Sequence, residues 1–411
     1  MKNSKYYPWL VVALLWIVAL LNYMDRQMLA TMRPSMENDI PELVSGENFG
    51  RLMAVFLWIY ALMSPVSGII ADKLNRKWLI IGSLFVWSAV TYAMGYAKTY
   101  DEIYWLRAIM GVSEALYIPA GLSLIADYHQ QKTRSLAIGI HMTGLYVGSA
   151  LGGFGATIAA RYSWHSTFHH FGIIGVIYSV ILVFFLYEKK TKVFDPEFNK
   201  THAKAPLLKG LAILFTNISF WVILFYFAII SLPGWATKNW LPTLFSDNLG
   251  ISMDQAGPLA TITISFSSLL GVVFGGILSD KWVQKNIKGR IYTSAIGLSL
   301  TIPALLLIGF GHSLFHVVGA VLCFGIGYGM FDANNMPIIC QFVSSKYRAT
   351  AYGILNMTGV GCGALVTSLL GKSADAGNLG YGFSLMAGIV LIALITQISF
   401  LRPKVNDFEG A

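Results

Sequence analysis

Twelve stretches, each long enough to cross a bilayer and nearly free of charge, follow one another along 411 residues: 8–33, 49–71, 77–97, 102–128, 133–159, 165–187, 210–245, 253–280, 289–310, 312–343, 346–371 and 379–402. A hydrocarbon core about 30 Å thick takes about 20 apolar residues of helix to cross. Inside it every backbone N–H and C=O must be satisfied within the segment. A chain patterned in this way is expected to be an all-α membrane protein with twelve transmembrane helices. Hydrophobic residues make up 55% of the sequence and charged residues 12%, too little polar surface for a water-soluble domain. The first stretch runs into "NYMDR" at 22–26 rather than into a small-residue cleavage site, so it is expected to stay as a helix and not to be a removable signal.

The net charge of +9 invites a nucleic-acid reading, which the placement of the cations excludes. Of 29 Lys and Arg, 21 fall on the termini, the even-to-odd loops and the 188–210 connection; five (Arg33, Arg51, Lys98, Arg161 and Lys372) fall on the opposite side. The positive-inside rule then puts both termini in the cytoplasm, in a cell inner (plasma) membrane. Only Arg26, Arg107 and Lys238 remain within spans.

Short echoes divide the chain. "GIIADK" at 68–73 returns as "GILSDK" at 276–281, and "RSLAIG" at 134–139 as "RATAYG" at 348–353. Both echoes fall on the same side of the membrane, so the halves are parallel repeats of six helices. The expected division is an N-terminal bundle 1–187, a linker 188–209 and a C-terminal bundle 210–411.

A charged side chain at the centre of a spanning helix costs roughly 2.5 to 3.5 kcal/mol even on the mild insertion scale, and such residues mark pathways by default. "LLNYMDRQML" at 20–29 places Asp25 beside Arg26, and "LRAIMGVSEALYIPAG" at 106–121 spaces Arg107 and Glu114 seven residues apart on one helix face. Two acids and two bases cancel, which lets the set sit buried if each charge is paired. Protonating Asp25 and Glu114 would free Arg26 and Arg107 to take an incoming carboxylate, which the planar guanidinium fork matches. Lys238 lies three positions after Trp235 and either anchors an anion or reaches outward to the interface. His141 either packs or contacts substrate. Aligning Pro119 with Pro337 sets Asp332 opposite Glu114.

The loop "GIIADKLNRK" at 68–77 resembles the signature of the major facilitator superfamily, with Lys73 and Asn75 as departures. The resemblance spans essentially the whole chain and implies the major facilitator fold, with Asp72, Arg76 and Lys77 in a cytoplasmic gate. Asn22, Tyr23, Asp25, Arg26, Arg107, Gly111, Glu114 and Pro119, with "WATKNWLPTLF" at 235–245 and "GILNMTG" at 353–359, resemble the anion:cation symporter family within it. That likeness implies proton-coupled symport of a sugar acid, such as a hexuronate or aldonate, by alternating access. Asp25 and Glu114 would carry protons; Arg26, Arg107, Tyr23, Tyr117, His141, Trp235, Lys238, Asn335 and Asn356 would hold substrate. Leu145 stands where some sugar-acid carriers place an amide. "NYMDR" and "GVSEALY" also resemble spinster-type lysolipid and sphingolipid transporters, which keeps proton-coupled lipid transport as the alternative.

An enzyme is not expected. The sequence has no HExxH, no GxSxG and no phosphate loop. His165 and His169, spaced for a shared metal, have no third ligand in their run, so no metal and no cofactor is expected. Cys323, Cys340 and Cys362 are expected to pack. The partners implied are a small organic anion, protons and membrane lipid, with the protein a monomer.

Overall fold

The computed structural model describes residues 5–129, 131–188, 214–343 and 348–403; side chains at 72, 73, 131, 132, 135, 348 and 349 lie outside it. Twelve helices long and apolar enough to cross a membrane occur among the described residues. They are α1 Tyr7–Met36, α2 Gly46–Ala71, α3 Arg76–Met94, α4 Tyr100–Tyr128, α5 Leu136–Arg161, α6 Trp164–Phe185, α7 Ile218–Leu249, α8 Met253–Val283, α9 Gly289–Phe310, α10 Leu314–Phe342, α11 Thr350–Asp375 and α12 Leu379–Phe400. No strand occurs among the described residues. The expected linker 188–209 lies outside them from residue 189 onward.

Helix starts follow from local chemistry. Ser45, Asn75 and Ser313 each accept a backbone N–H three residues on, at the heads of α2, α3 and α10. Thr99 and Glu102 form a reciprocal capping box at α4. Each satisfies N–H groups that a helix start leaves without partners.

Two of the spans expected to be continuous are broken, and the reason is the same in both. In α4 the helix stops at Ala115 and resumes at Tyr117, four residues before and two before Pro119. In α10 it stops at Asp332 and resumes at Asn335, with Pro337 just beyond. Proline lacks the N–H its fourth predecessor would accept and its ring crowds that carbonyl. The fourth predecessors are Ala115 and Ala333, so the same defect recurs in both halves of the sequence. In α4 it falls directly after Glu114.

By packing, the chain forms two compact units. The first gathers Met1–Thr191, Lys238–Ile262 and Ala364–Gly377; the second gathers Lys192–Thr237, Thr263–Gly363 and Asn378–Ala411. In the second, Leu214, Phe220, Ile291, Ile338, Leu355 and Leu401 belong to one apolar cluster.

In the first unit α1 lies against α5 along a stripe of glycines. A Cβ on Gly144 would come 2.7 Å from the Trp16 carbonyl oxygen, one on Gly148 would overlap the Leu20 carbonyl, and one on Gly152 would come 2.7 Å from the Met24 oxygen. The four-residue step on both helices lets the backbones approach closely, which drives helix association in lipid. Gly148→Val is therefore expected to destabilise the protein by about 1–3 kcal/mol through overpacking, seen as a lower midpoint in thermal unfolding in detergent.

At the end of this unit that carries few cations, α11 is bonded to the head of α2. Asp375, the last residue of α11, accepts hydrogen bonds from Ser45 Oγ (3.0 Å), Gly46 N (2.5 Å) and Glu47 N (2.9 Å). A carboxylate there meets the unpaired N–H groups and positive dipole end of α2. Lys372 lies 3.5 Å from Glu47. Gly46 and Gly371 touch backbone to backbone, and Thr367 holds Asn239 Nδ2 and Trp240 Nε1 at 2.7 and 3.0 Å.

Candidate functional site

The polar residues of α1 and α4 form one buried constellation in the first unit. Arg26 Nε donates to Glu114 Oε2 at 2.5 Å, and Asn22 Nδ2 donates to the same oxygen at 3.0 Å. Glu114 is fully buried. Because α4 breaks after it, Glu114 occupies the last turn before the kink. Three rings surround the Arg26 guanidinium, at 4.9 Å from Tyr23, 4.8 Å from Phe56 and 4.7 Å from Tyr60. Their faces attract a cation that lipid would not tolerate bare.

The other two charges are treated differently. Asp25 is 5% exposed. One of its oxygens accepts from Thr91 Oγ1 at 3.3 Å, and the other has no hydrogen bond. Arg107 is 3% exposed, sits 4.4 Å over Phe56 and donates from Nη1 to Met110 Sδ at 3.1 Å. Neither Asp25 nor Arg107 makes an ion pair among the described residues. Asp25 is nonetheless within Coulombic reach of both Glu114 and Arg107. The four charges thus split into one close pair and two unpaired members, where the sequence suggested that each would be paired. Asn22 Oδ1, Asp25 Oδ1, Arg26 Nη2, Arg107 Nε and Glu114 Oε1 are all buried without a hydrogen-bond partner in the protein. Buried polar groups are ordinarily satisfied by protein or water; these five lie on neighbouring turns of α1 and α4.

Tyr117 Oη donates to the Leu15 carbonyl at 2.7 Å, and its ring packs edge-on against Trp87 at 5.7 Å and His141 at 6.0 Å. His141 is fully buried. Lys238 Nζ lies 5.7 Å from the Tyr23 ring centroid, which places the second cation candidate inward, next to α1. Tyr23, Asp25, Arg26, Arg107, Glu114, Tyr117, His141 and Lys238 therefore share the first unit. Trp235, Asn335 and Asn356 belong to the second. There Trp235 packs on Gly363, where a Cβ would meet its indole, and Asn335 Nδ2 donates to Asp332 Oδ1 at 3.0 Å. Asn356 is half-buried.

At the basic end of the first unit, Arg76 forms an ion pair with Asp127, and its backbone N–H donates to Glu188 at 3.1 Å. Lys77 Nζ donates to the Val183 carbonyl at 2.8 Å. The Asp72 side chain lies outside the described residues. In the second unit Arg290 pairs with Asp280 at 3.0 Å, at the residue the repeat aligns with Asp72.

Sequence reading missed Phe56, Tyr60, Thr91 and Gln27. The first two stand four apart on α2, a spacing that puts both rings on one face. That signal is visible in "FLWIY" at 56–60 but is indistinguishable there from ordinary packing. No group of three or more metal-ligating side chains occurs among the described residues; His165 instead contacts Asp39 (3.3 Å) and the Gly95 carbonyl (2.8 Å).

The sequence profile described as Major Facilitator Superfamily matches residues 15–367 and 241–407. The chain is 24% identical, over 97% of its length and 96% of the relative's, to the hexuronate transporter of Bacillus subtilis (strain 168). It is 23% identical to the probable galactarate/D-glucarate transporter GarP of Escherichia coli (strain K12), over 100% of this chain and 91% of that one. To the 4-hydroxybenzoate transporter PcaK of Acinetobacter baylyi it is 24% identical, covering 98% and 93%. The crystal structure of a bacterial homolog of the human lysosomal transporter Spinster superposes with a TM-score of 0.81 at 19% identity, covering 96% of this chain and 97% of that chain. At that identity the likeness is one of fold.

Proposed function

The chain belongs to the major facilitator superfamily, a family of membrane transporters and not of enzymes, and from that premise we propose that it carries a sugar acid across the membrane together with protons. The observation that carries the reading is Arg107, buried and without an ion pair beside the Arg26–Glu114 pair and the unpaired Asp25. A buried guanidinium without a close ion pair is expensive and keeps its proton, which favours the binding of an anion. The named relatives include carriers of hexuronate and of galactarate or D-glucarate, whose carboxylates would supply one. The aromatic faces of Tyr23, Phe56 and Tyr60 around Arg26 suit a sugar acid, giving a polar end and flat apolar walls.

In this reading a proton on Asp25 removes the uncompensated negative charge there. A proton on Glu114 releases Arg26, whose Nη2 already has no partner, to join Arg107 in gripping the substrate carboxylate. Bidentate pairing to either arginine is strong in a site shielded from water. Tyr117, His141 and Lys238 belong to the same unit and contact substrate in this reading; Trp235, Asn335 and Asn356 are further proposed substrate contacts. Asp72, Arg76 and Lys77 act as a gate during alternating access. The protein works as a monomer in the plasma membrane, with both termini in the cytoplasm.

Purified protein in proteoliposomes tests the reading. An imposed inward proton gradient is expected to drive accumulation of glucuronate, galactonate or galactarate above the outside concentration; uptake indifferent to that gradient rejects proton coupling. A thermal-shift screen of the same acids against lysolipids separates solute from lipid, since a ligand stabilises the state it binds.

A further inference from the structure

Gln27, which has no part in the constellation above, meets α7 at a defect in that helix. In an α-helix the carbonyl of residue 238 would accept the N–H of residue 242. Residue 242 is a proline, which has no N–H to give. The Lys238 carbonyl instead accepts from Gln27 Nε2, at 2.8 Å. A side chain of α1 thus supplies the donor that Pro242 withholds, and in a buried setting a carbonyl left without one is costly.

Gln27 is fixed for the task. It is 6% exposed, its Oε1 accepts from Ser149 Oγ on α5 at 3.4 Å, and Gly152 comes so close that a Cβ there would lie 2.7 Å from Gln27 Cβ. Tyr23 stands one turn before Gln27 on the same face of α1. Its ring has the Lys238 ammonium at 5.7 Å and the Arg26 guanidinium at 4.9 Å from its centroid. Residue 238 is therefore gripped twice by α1: at the carbonyl by Gln27 and at the ammonium by Tyr23.

We infer that Gln27 is a positioning residue for anion recognition: by completing the helix at Lys238 it sets that ammonium on the Tyr23 ring that Arg26 also contacts, so that Lys238 joins Arg26 and Arg107 in presenting positive charge to an acidic solute. The inference rests on the sugar-acid reading and deepens it, because it assigns the preference for charged over neutral sugars to a contact between α1 and the Pro242 defect. Ordinary packing would make Gln27 replaceable by any side chain of its size. Helix repair makes its amide donor the property that matters, and makes that donor dispensable once residue 242 has an N–H of its own.

The test is a repair cycle in full-length protein, with D-glucuronate as the probe. Gln27→Leu keeps the bulk and removes the donor; it is expected to raise KM about tenfold with kcat changed less than twofold, and to lower the unfolding midpoint. Pro242→Ala placed in the Gln27→Leu background restores an N–H to residue 242 and is expected to return KM to within threefold of wild type and to recover the midpoint. Lys238→Gln is expected to raise KM to the same extent, and Gln27→Leu added to it should raise KM no further. Losses that multiply in that last pair overturn the inference, as does a Pro242→Ala exchange that recovers neither KM nor midpoint. Should Pro242→Ala fail to fold, the Gln27/Lys238 pair alone decides the matter. Wild-type protein that binds no sugar acid defeats the function proposed above, while the recovery of the unfolding midpoint still reads the repair of α7.

Discussion

Arg107→Ala is expected to abolish uptake, with at least a 100-fold loss of affinity for the transported acid, about 2.7 kcal/mol, in a protein that still folds. Arg107 is held by the Phe56 ring and the Met110 sulfur; these contacts aim the guanidinium without neutralising it. Arg107 makes no close ion pair, so its removal breaks no salt bridge; the midpoint is expected to fall only by what the packing of its side chain on Phe56 contributes. The acid, by contrast, loses the one cation of the α1–α4 set that has no resident anion. Arg107→Lys, which keeps the charge and loses the fork, should fall between the two. Calorimetric titration with a sugar acid and thermal unfolding of the same samples check this. Affinity retained with stability lost would make Arg107 a structural residue.

Glu114→Gln should behave in the opposite sense. Glu114 Oε2 takes both Arg26 Nε and Asn22 Nδ2, so the amide leaves a buried guanidinium without its partner, a change that costs about 3–5 kcal/mol in comparable buried pairs. The unliganded variant should unfold at clearly lower temperature. A bound carboxylate can supply the counter-charge that Arg26 has lost, so ligand should stabilise this variant more than it stabilises wild type. Coupling should fail at the same time: accumulation driven by a proton gradient is lost, while exchange of labelled for unlabelled acid across the membrane persists. The paired measurements are thermal shift with and without ligand, and uptake against exchange in proteoliposomes. A variant that still accumulates solute on a proton gradient removes Glu114 from the coupling.

Much of this architecture is legible in the sequence because lipid is a strict solvent. A helix of apolar side chains is the one local structure that satisfies its own backbone there, so the twelve spans follow from runs of Leu, Ile, Val, Phe and Ala. The charges follow from the same strictness. Asp25, Arg26, Arg107 and Glu114 stand out because each is costly in a span, and all four sit together in one unit. Their pairing was not legible. Spacing along α1 and α4 places the residues on faces, but which acid meets which base depends on helix rotation and on the break at Ala115. Pro119 is the residue that causes the break, but the span 102–128 was expected to be continuous. Gln27 was invisible for a different reason: its partner is a backbone carbonyl 211 residues away, and a sequence gives no sign of which carbonyls a proline has orphaned until the helices are packed. Phe56 and Tyr60 were hidden by their ordinariness, since aromatic residues in a membrane helix are expected whether or not a cation rests on them.

At the poorly charged end of the first unit, side chains meet backbone: two amides and one hydroxyl on the Asp375 carboxylate, the Thr367 carbonyl under Trp240, and Gly46 lying on Gly371. Alanine scanning works by deleting side chains, so it reads only one partner of the contacts made to backbone. A systematic alanine scan of this rim is expected to register Asp375, Asn239, Thr367 and Trp240 through the contacts they lose, and Gly46 and Gly371 because a methyl group is added. Where the partner is an amide or a carbonyl, a substitution tests half of the contact, and the glycine approach shows itself only when bulk is added.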